Sequence, residues 1–160
     1  MNTDFHLPYG DSFLKAHIPT ENVSLILEKR EVKGINNERK AIRASLRLPT
    51  GCPPLSEQIN KNDRVVVIVT DNTRACPDDR LLPPILTELE QKVSRDNITI
   101  IIALGLHHPL NKEALITKLG NYIVANYRVL NHDVNDTSYI GTTSRGTPVE
   151  INRQVIEADF

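Results

Sequence analysis

Apolar positions are most regular in the middle of the chain. Residues 65–69 form an unbroken β-branched run, Val65, Val66, Val67, Ile68 and Val69. Such a run predicts a strand buried on both faces of a parallel sheet. Leu82, Ile85, Leu86, Leu89 and Val93 then recur at the spacing of one helix face. Pro83 and Pro84 fit near the first turn of that helix, where a missing N–H costs little. Residues 98–103 predict a second strand, ending at Gly105. Residues 111–119 predict a second helix, with Gly120 as its left-handed stop. Residues 127–130 read as a third short strand. This β-α-β-α-β alternation places the chain in the α/β class, with an open, doubly wound, Rossmann-like and mainly parallel sheet.

The flanks follow other patterns. Residues 1–62 are the least regular part: residues 23–27 read as a strand, and residues 37–46 as a helix capped by Asn36 or Asn37. Pro49, Gly51, Pro53 and Pro54 break regular structure, and residues 55–59 allow a short helical piece. Near the other end, residues 139–143 and 148–151 flank Ser144, Arg145, Gly146 and Thr147 as a β-hairpin, with Gly146 supplying positive φ. Residues 152–158 read as helical, and Phe160 falls where a further strand is expected to begin. The whole reads as one α/β domain over residues 1–160.

Composition narrows the class. A chain of 160 residues can bury a core without staples. Its formal net charge of −1, with basic residues scattered among acids, argues against a nucleic-acid partner. The two cysteines, Cys52 and Cys76, form no disulfide framework and read as reduced thiols. No signal sequence and no apolar run of membrane-spanning length is present, so the expected place is the cytoplasm, away from membranes.

In open α/β sheets, ligands bind beyond the carboxyl ends of the strands. Three predicted strand ends carry polar groups: Asp71 to Pro77, Gly105 to Pro109, and Asn131 to Asp133. Arg74 is the candidate anion clamp, because its planar fork holds a carboxylate or phosphate bidentately. Asp71 could orient Arg74 or accept a ligand hydroxyl. The plainer alternative has Asp71 capping a turn and Arg74 pairing with Asp78 or Asp79. His107, directly after a strand and Gly105, can project into a cleft as general acid or base. His108 adjoins it, but neighbouring residues point apart and no spaced His or Cys set completes a metal site. His132 reads as a structural hydrogen-bonding residue. Ser144 to Gly146 could cradle a phosphate, with a plain hairpin turn as the alternative. Walker, GxGxxG, CxxC and GxSxG patterns are absent.

Taken in order, the segments Val65 to Pro77, Ala103 to Pro109, Asn131 to Asp133 and Gly141 to Val149, with Leu7 to Gly10 near the start, resemble the amino-terminal domain of the nickel-dependent lactate racemase family. The resemblance implies a two-domain enzyme interconverting the enantiomers of lactate or a related 2-hydroxy acid. It implies a nickel pincer nucleotide, a pyridinium-derived mononucleotide tethered to a lysine, and two acid–base histidines, one per substrate face. By motif, His107 is one of those histidines, Arg74 binds the substrate carboxylate or helps polarise the keto intermediate, and Asp71 supports the site. Leu106 and His108 stand where the family loop carries Thr and Arg, which leaves the choice of 2-hydroxy acid open. The tethering lysine, the nickel-ligating histidine and the second catalytic histidine belong to segments beyond Phe160. No metal site is therefore expected in this chain, and alone it is expected to be inactive, needing a C-terminal domain or partner chain. The alternative is a non-catalytic small-anion binding module or a degenerate fragment.

Overall fold

A computed structural model describes residues 1–160, which divide into two compact units, residues 1–34 and 35–160. In the first unit, β1 (Asn2–Tyr9) and β2 (Ser12–Pro19) pair antiparallel, with Tyr9 opposite Ser12 and Asn2 opposite Pro19. Gly10, at φ +56°, opens the tight turn between them, a conformation that strains any residue with a Cβ. Asp4 Oδ1 accepts a hydrogen bond from His17 Nδ1 at 2.7 Å across the pair. A 3₁₀ turn follows at Thr20–Asn22. The strand expected at residues 23–27 is not formed. The unit's two strands already pair with each other, and Leu25 and Leu27 lie exposed.

The second unit begins with α1 (Glu38–Arg47), whose cap Asn37 accepts from the Lys40 N–H at 3.0 Å. After the Pro/Gly break come α2 (Leu55–Gln58), β3 (Val65–Thr70) and α3 (Asp78–Leu89). Next are β4 (Ile98–Ala103), α4 (Lys112–Leu119), α5 (Asn121–Asn126) and β5 (Arg128–Asn131). The three strands form a parallel sheet in the order β3-β4-β5, with Val65 beside Ile98 and Thr99 beside Arg128. An antiparallel hairpin, β6 (Thr137–Thr142) and β7 (Pro148–Asn152), and the short α6 (Arg153–Ile156) complete the unit.

Alternation along the strands decides the core. Val65 and Val69 of β3, and Ile98, Ile100 and Ile102 of β4, meet Leu82, Leu86 and Leu89 of α3 and Leu119 and Ile123 of the following helices. Each such side chain contributes roughly 1.5–3 kcal/mol on burial. The doubly buried strand is β4, whose first five residues are all buried. The β-branched run in β3 reads as doubly buried too, but Ile68 is 55% exposed. The reason is position: β3 is an edge strand, and packing is complete only on its helix-covered face.

Helix α3 also begins earlier than its apolar spacing indicates. Asp78 and Asp79 form its first turn, where carboxylates favour the positive end of the helix dipole. Pro83 and Pro84 consequently lie in the second turn. Three polar clusters tie the helices down. Glu88, nearly buried, takes Arg47 Nη2 at 2.9 Å, with Arg43 Nε at 3.7 Å, which fixes α1 on α3. Lys118 of α4 meets Asp78 at 2.6 Å, with both side chains 5% exposed. Glu90 accepts from Arg95 Nε at 2.6 Å and from the Tyr127 hydroxyl at 2.9 Å.

Candidate functional site

Asp71 is the first residue past β3, and His107 stands in the loop after β4. Leu104 is buried as the last anchor of that loop, and Gly105 turns the backbone at φ +57°. The next residues are thereby thrown outward, Leu106 to 92% exposure. The His107 N–H bonds the Leu104 carbonyl at 3.0 Å, closing the turn. From the β5 end, Asn131 accepts from the Leu110 N–H at 3.0 Å and donates to the Leu110 carbonyl at 2.9 Å. Both ends of the His107 loop are therefore tied to the sheet.

The two residues meet: His107 Nδ1 hydrogen-bonds Asp71 Oδ2. The other oxygen, Oδ1, accepts the Thr73 hydroxyl at 2.7 Å and the Thr73 N–H at 3.2 Å. The bond from His107, then those from Thr73, hold the Asp71 carboxyl down at about 2, against the burial that opposes its charge. An ionised carboxylate has no proton to give, so His107 Nδ1 carries the hydrogen and donates it. Nε2 is left outside this bond. Asp71 is 4% exposed at its side chain and His107 54%, the arrangement of a buried orienting acid behind an accessible imidazole.

Arg74 makes no ion pair. Its guanidinium reaches only the Thr73 hydroxyl, through Nη1 at 3.5 Å. Asp78, an expected alternative partner, is instead taken by Lys118. The Asp71 carboxylate likewise does not hold the Arg74 guanidinium directly; Thr73 stands between them. Arg74 and Lys118 border one open cleft of about 380 Å³. His107 borders another, of about 450 Å³, with Asn131 and His132. Thr73, spaced two residues from Asp71 as in an Asx turn, is the link that the sequence reading did not single out.

Other candidates are placed more simply. His132 Nδ1 accepts from Asn152 Nδ2 at 3.1 Å, and the His132 N–H bonds the Ile102 carbonyl at 3.1 Å. His108 is exposed, and no ion pair involves it. The Arg145 segment is the turn of the β6–β7 hairpin, closed by the Thr143 N–H on the Thr147 carbonyl at 2.9 Å, with Gly146 at φ +81°. The Cys76 thiol is pushed up by its bond to Asp78 and by burial, so it is a poor nucleophile. No three His, Cys, Asp or Glu side chains converge to hold a metal ion. No helix is long and apolar enough to cross a membrane.

Comparison with known proteins identifies the family and the fold. The family described as the lactate racemase N-terminal domain matches residues 9–160. Lactate racemase of Thermoanaerobacterium thermosaccharolyticum is 30% identical over 98% of this chain, and that of Lactiplantibacillus plantarum is 30% identical over 96%. In both cases the chain spans 38% of the relative's length. The apoprotein structure of the Thermoanaerobacterium lactate racemase superposes with a TM-score of 0.84 at 29% identity, covering 99% of this chain and 37% of that one. A Thermotoga maritima protein shares the fold at a TM-score of 0.55 and 21% identity, over 81% of this chain and 33% of its own. With a match running from residue 9 to residue 160, the chain belongs to the lactate racemase N-terminal domain family.

Proposed function

We propose that this chain supplies one side of the active site of a cytoplasmic racemase or epimerase acting on lactate or a related 2-hydroxy acid. The observation that carries the reading is the Asp71–His107 pair at the strand ends, with an unpaired Arg74 joined to it through Thr73. In this reading Arg74 binds the substrate carboxylate in a bidentate, charge-assisted pair. His107 Nε2 accepts the substrate hydroxyl proton when the keto form develops and returns it when the hydroxyl is restored. Asp71 stays ionised throughout, holds the imidazole in one tautomer and stabilises its protonated form. Inverting a stereocentre requires proton handling on both faces, and one such group is identified here.

The resemblance implies a nickel pincer nucleotide, but the side chains of this chain do not converge on a metal. The cofactor and its tethering lysine are proposed to lie outside these 160 residues, with the roles above left to His107, Arg74 and Asp71. The chain alone is proposed to be inactive. Arg74, free of any ion pair, also suits a second reading, a small-anion binding module without catalysis.

Two measurements decide between them. Calorimetric titration with lactate should show Arg74→Ala weakening binding about tenfold or more, from the loss of a charge-assisted bond of roughly 1.5–3 kcal/mol. In the polypeptide that turns over, His107→Ala should lower racemisation while leaving lactate affinity nearly unchanged. Unchanged racemisation removes His107 from the mechanism. Lactate binding that depends on Arg74, with no racemisation in any longer form, leaves the binding module as the answer.

A further inference from the structure

The loop that carries His107 also presents an apolar side chain that the fold does not use. Leu104 at 3% exposure and Leu110 at 7% anchor this loop on either side, whereas Leu106, between them, is 92% exposed. A single exposed leucine is ordinary. Leu106, however, borders the same cleft of about 450 Å³ as His107, together with Pro109 and Val134, the last 46% exposed. Small-molecule sites have this character: concave and mostly apolar, with a few polar groups that fix orientation.

The polar neighbours along this cleft are engaged elsewhere. The Asn131 side chain bonds both backbone groups of Leu110, at 3.0 and 2.9 Å. His132 Nδ1 accepts from Asn152 at 3.1 Å. Asp133 Oδ1 accepts the Asn135 N–H at 2.9 Å and the Asn135 side-chain amide at 3.1 Å. What Asp133 brings to the cleft is negative charge, which disfavours a ligand carboxylate there. Arg74 borders the other cleft and is linked to His107 through Thr73 and Asp71.

We propose that the cleft of Leu106, Pro109 and Val134 takes the substituent on C2 of the hydroxy acid, an aliphatic group longer than the methyl of lactate. This assignment rests on the roles proposed above for His107 and Arg74, and it names the substrate class on which they act. With the carboxylate at Arg74 and the hydroxyl at His107 Nε2, the remaining carbon substituent is left to the Leu106 side. Each methylene moved from water onto an apolar wall is worth about fourfold in affinity. The three further carbons of 2-hydroxy-4-methylpentanoate, in a cleft open to solvent, should therefore give about tenfold or more over lactate.

The 160-residue chain is titrated with lactate, 2-hydroxy-4-methylpentanoate and 2-hydroxysuccinate while the methyl NMR signals of Leu106 and Val134 are followed. The branched acid should bind about tenfold or more tightly than lactate and shift both sets of methyl signals. Leu106→Ala, at an exposed position outside the core, should cut that preference about fourfold or more. Equal affinity for the two monocarboxylic acids, a preference that Leu106→Ala leaves intact, tighter binding of 2-hydroxysuccinate, or no binding at all overturns the inference. Chiral analysis of the same acids with the racemising polypeptide separates it from the reading beneath it. Racemisation that favours lactate overturns the aliphatic assignment alone. The expected binding preference with no racemisation of any of these acids keeps that assignment and removes the racemase reading.

Discussion

Asp71→Asn keeps the shape of the side chain and removes its charge. In the wild type, a carboxyl held at about 2 by His107 and Thr73 is ionised across the working range. Neutral His107 must then keep its hydrogen on Nδ1. Thr73 donates twice to Oδ1, at 2.7 and 3.2 Å, so the oxygen of the new amide is retained there. Its NH₂ is consequently turned toward His107, where it donates to Nδ1 and drives the hydrogen to Nε2. The nitrogen facing the substrate changes from base to donor. General acid–base help contributes about 10²–10⁴ in rate, and the same tautomer switch costs about 10⁴ in serine proteases. The expected result is a fall in kcat of about 10²–10⁴ with KM little changed, because Arg74 is untouched. Turnover is followed by chiral analysis of lactate with the racemising polypeptide. The tautomer is read separately from imidazole ¹⁵N shifts in the 160-residue chain. A variant that keeps the Nδ1–H tautomer, or racemises within about threefold of wild type, refutes the reasoning.

Two further predictions concern stability. Lys118→Met leaves Asp78 as an uncompensated buried charge and should cost about 3–5 kcal/mol in urea unfolding, with much of the loss recovered by adding Asp78→Asn. A loss below about 1 kcal/mol would mark the pair as behaving like a surface contact. The pH limits should bear the marks of Asp71 and Tyr127. The Asp71 carboxyl is lowered from 3.8 to about 2, so its stabilising contribution is full above the ordinary value and lost as pH falls toward 2. The Tyr127 phenol is raised from 10.0 to about 12 by burial and then by its bond to Glu90, so its contribution is full below 10 and lost as pH climbs toward 12. Tyr127→Phe should remove a late tyrosinate step in ultraviolet absorbance, and its persistence would contradict the assignment.

The elements that sequence reasoning located well are those whose signal is local. Asn37 and Asn111 cap helices because a short side-chain oxygen reaches an orphan N–H two or three residues on, and Gly120 stops one because it tolerates φ +88°. The strand-end polar residues are legible for a related reason: an apolar run that gives way to Asp71, His107 or Asn131 marks where the sheet meets solvent. Pairing is different. Residues 65–69 look as interior as residues 98–102, and only the neighbours separate an edge from a centre. The β1–β2 hairpin escaped notice because Pro8 and Pro19 interrupt its alternation, while the apolar residues 23–27 had no partner strand to define them.

The same distinction governs the site. Residue type singled out His107 and Arg74 as candidates, but not that the Asp71 carboxylate turns to the imidazole and reaches the Arg74 guanidinium only through Thr73. That choice is fixed by β3 and β4 lying side by side in register, Thr70 against Ala103, which brings the two loop starts together. The stretch from Asp71 to Arg74 is held by its own turn, with the Arg74 N–H on the Asp71 carbonyl at 3.3 Å, and Arg74 shares its open cleft with Asp79 without an ion pair forming between them. An exposed guanidinium is solvated, and a surface ion pair would add only about 0–1 kcal/mol, so the fold gives Arg74 no strong reason to pair. In the proposed reading, that same unpaired fork is the position an anionic ligand would take.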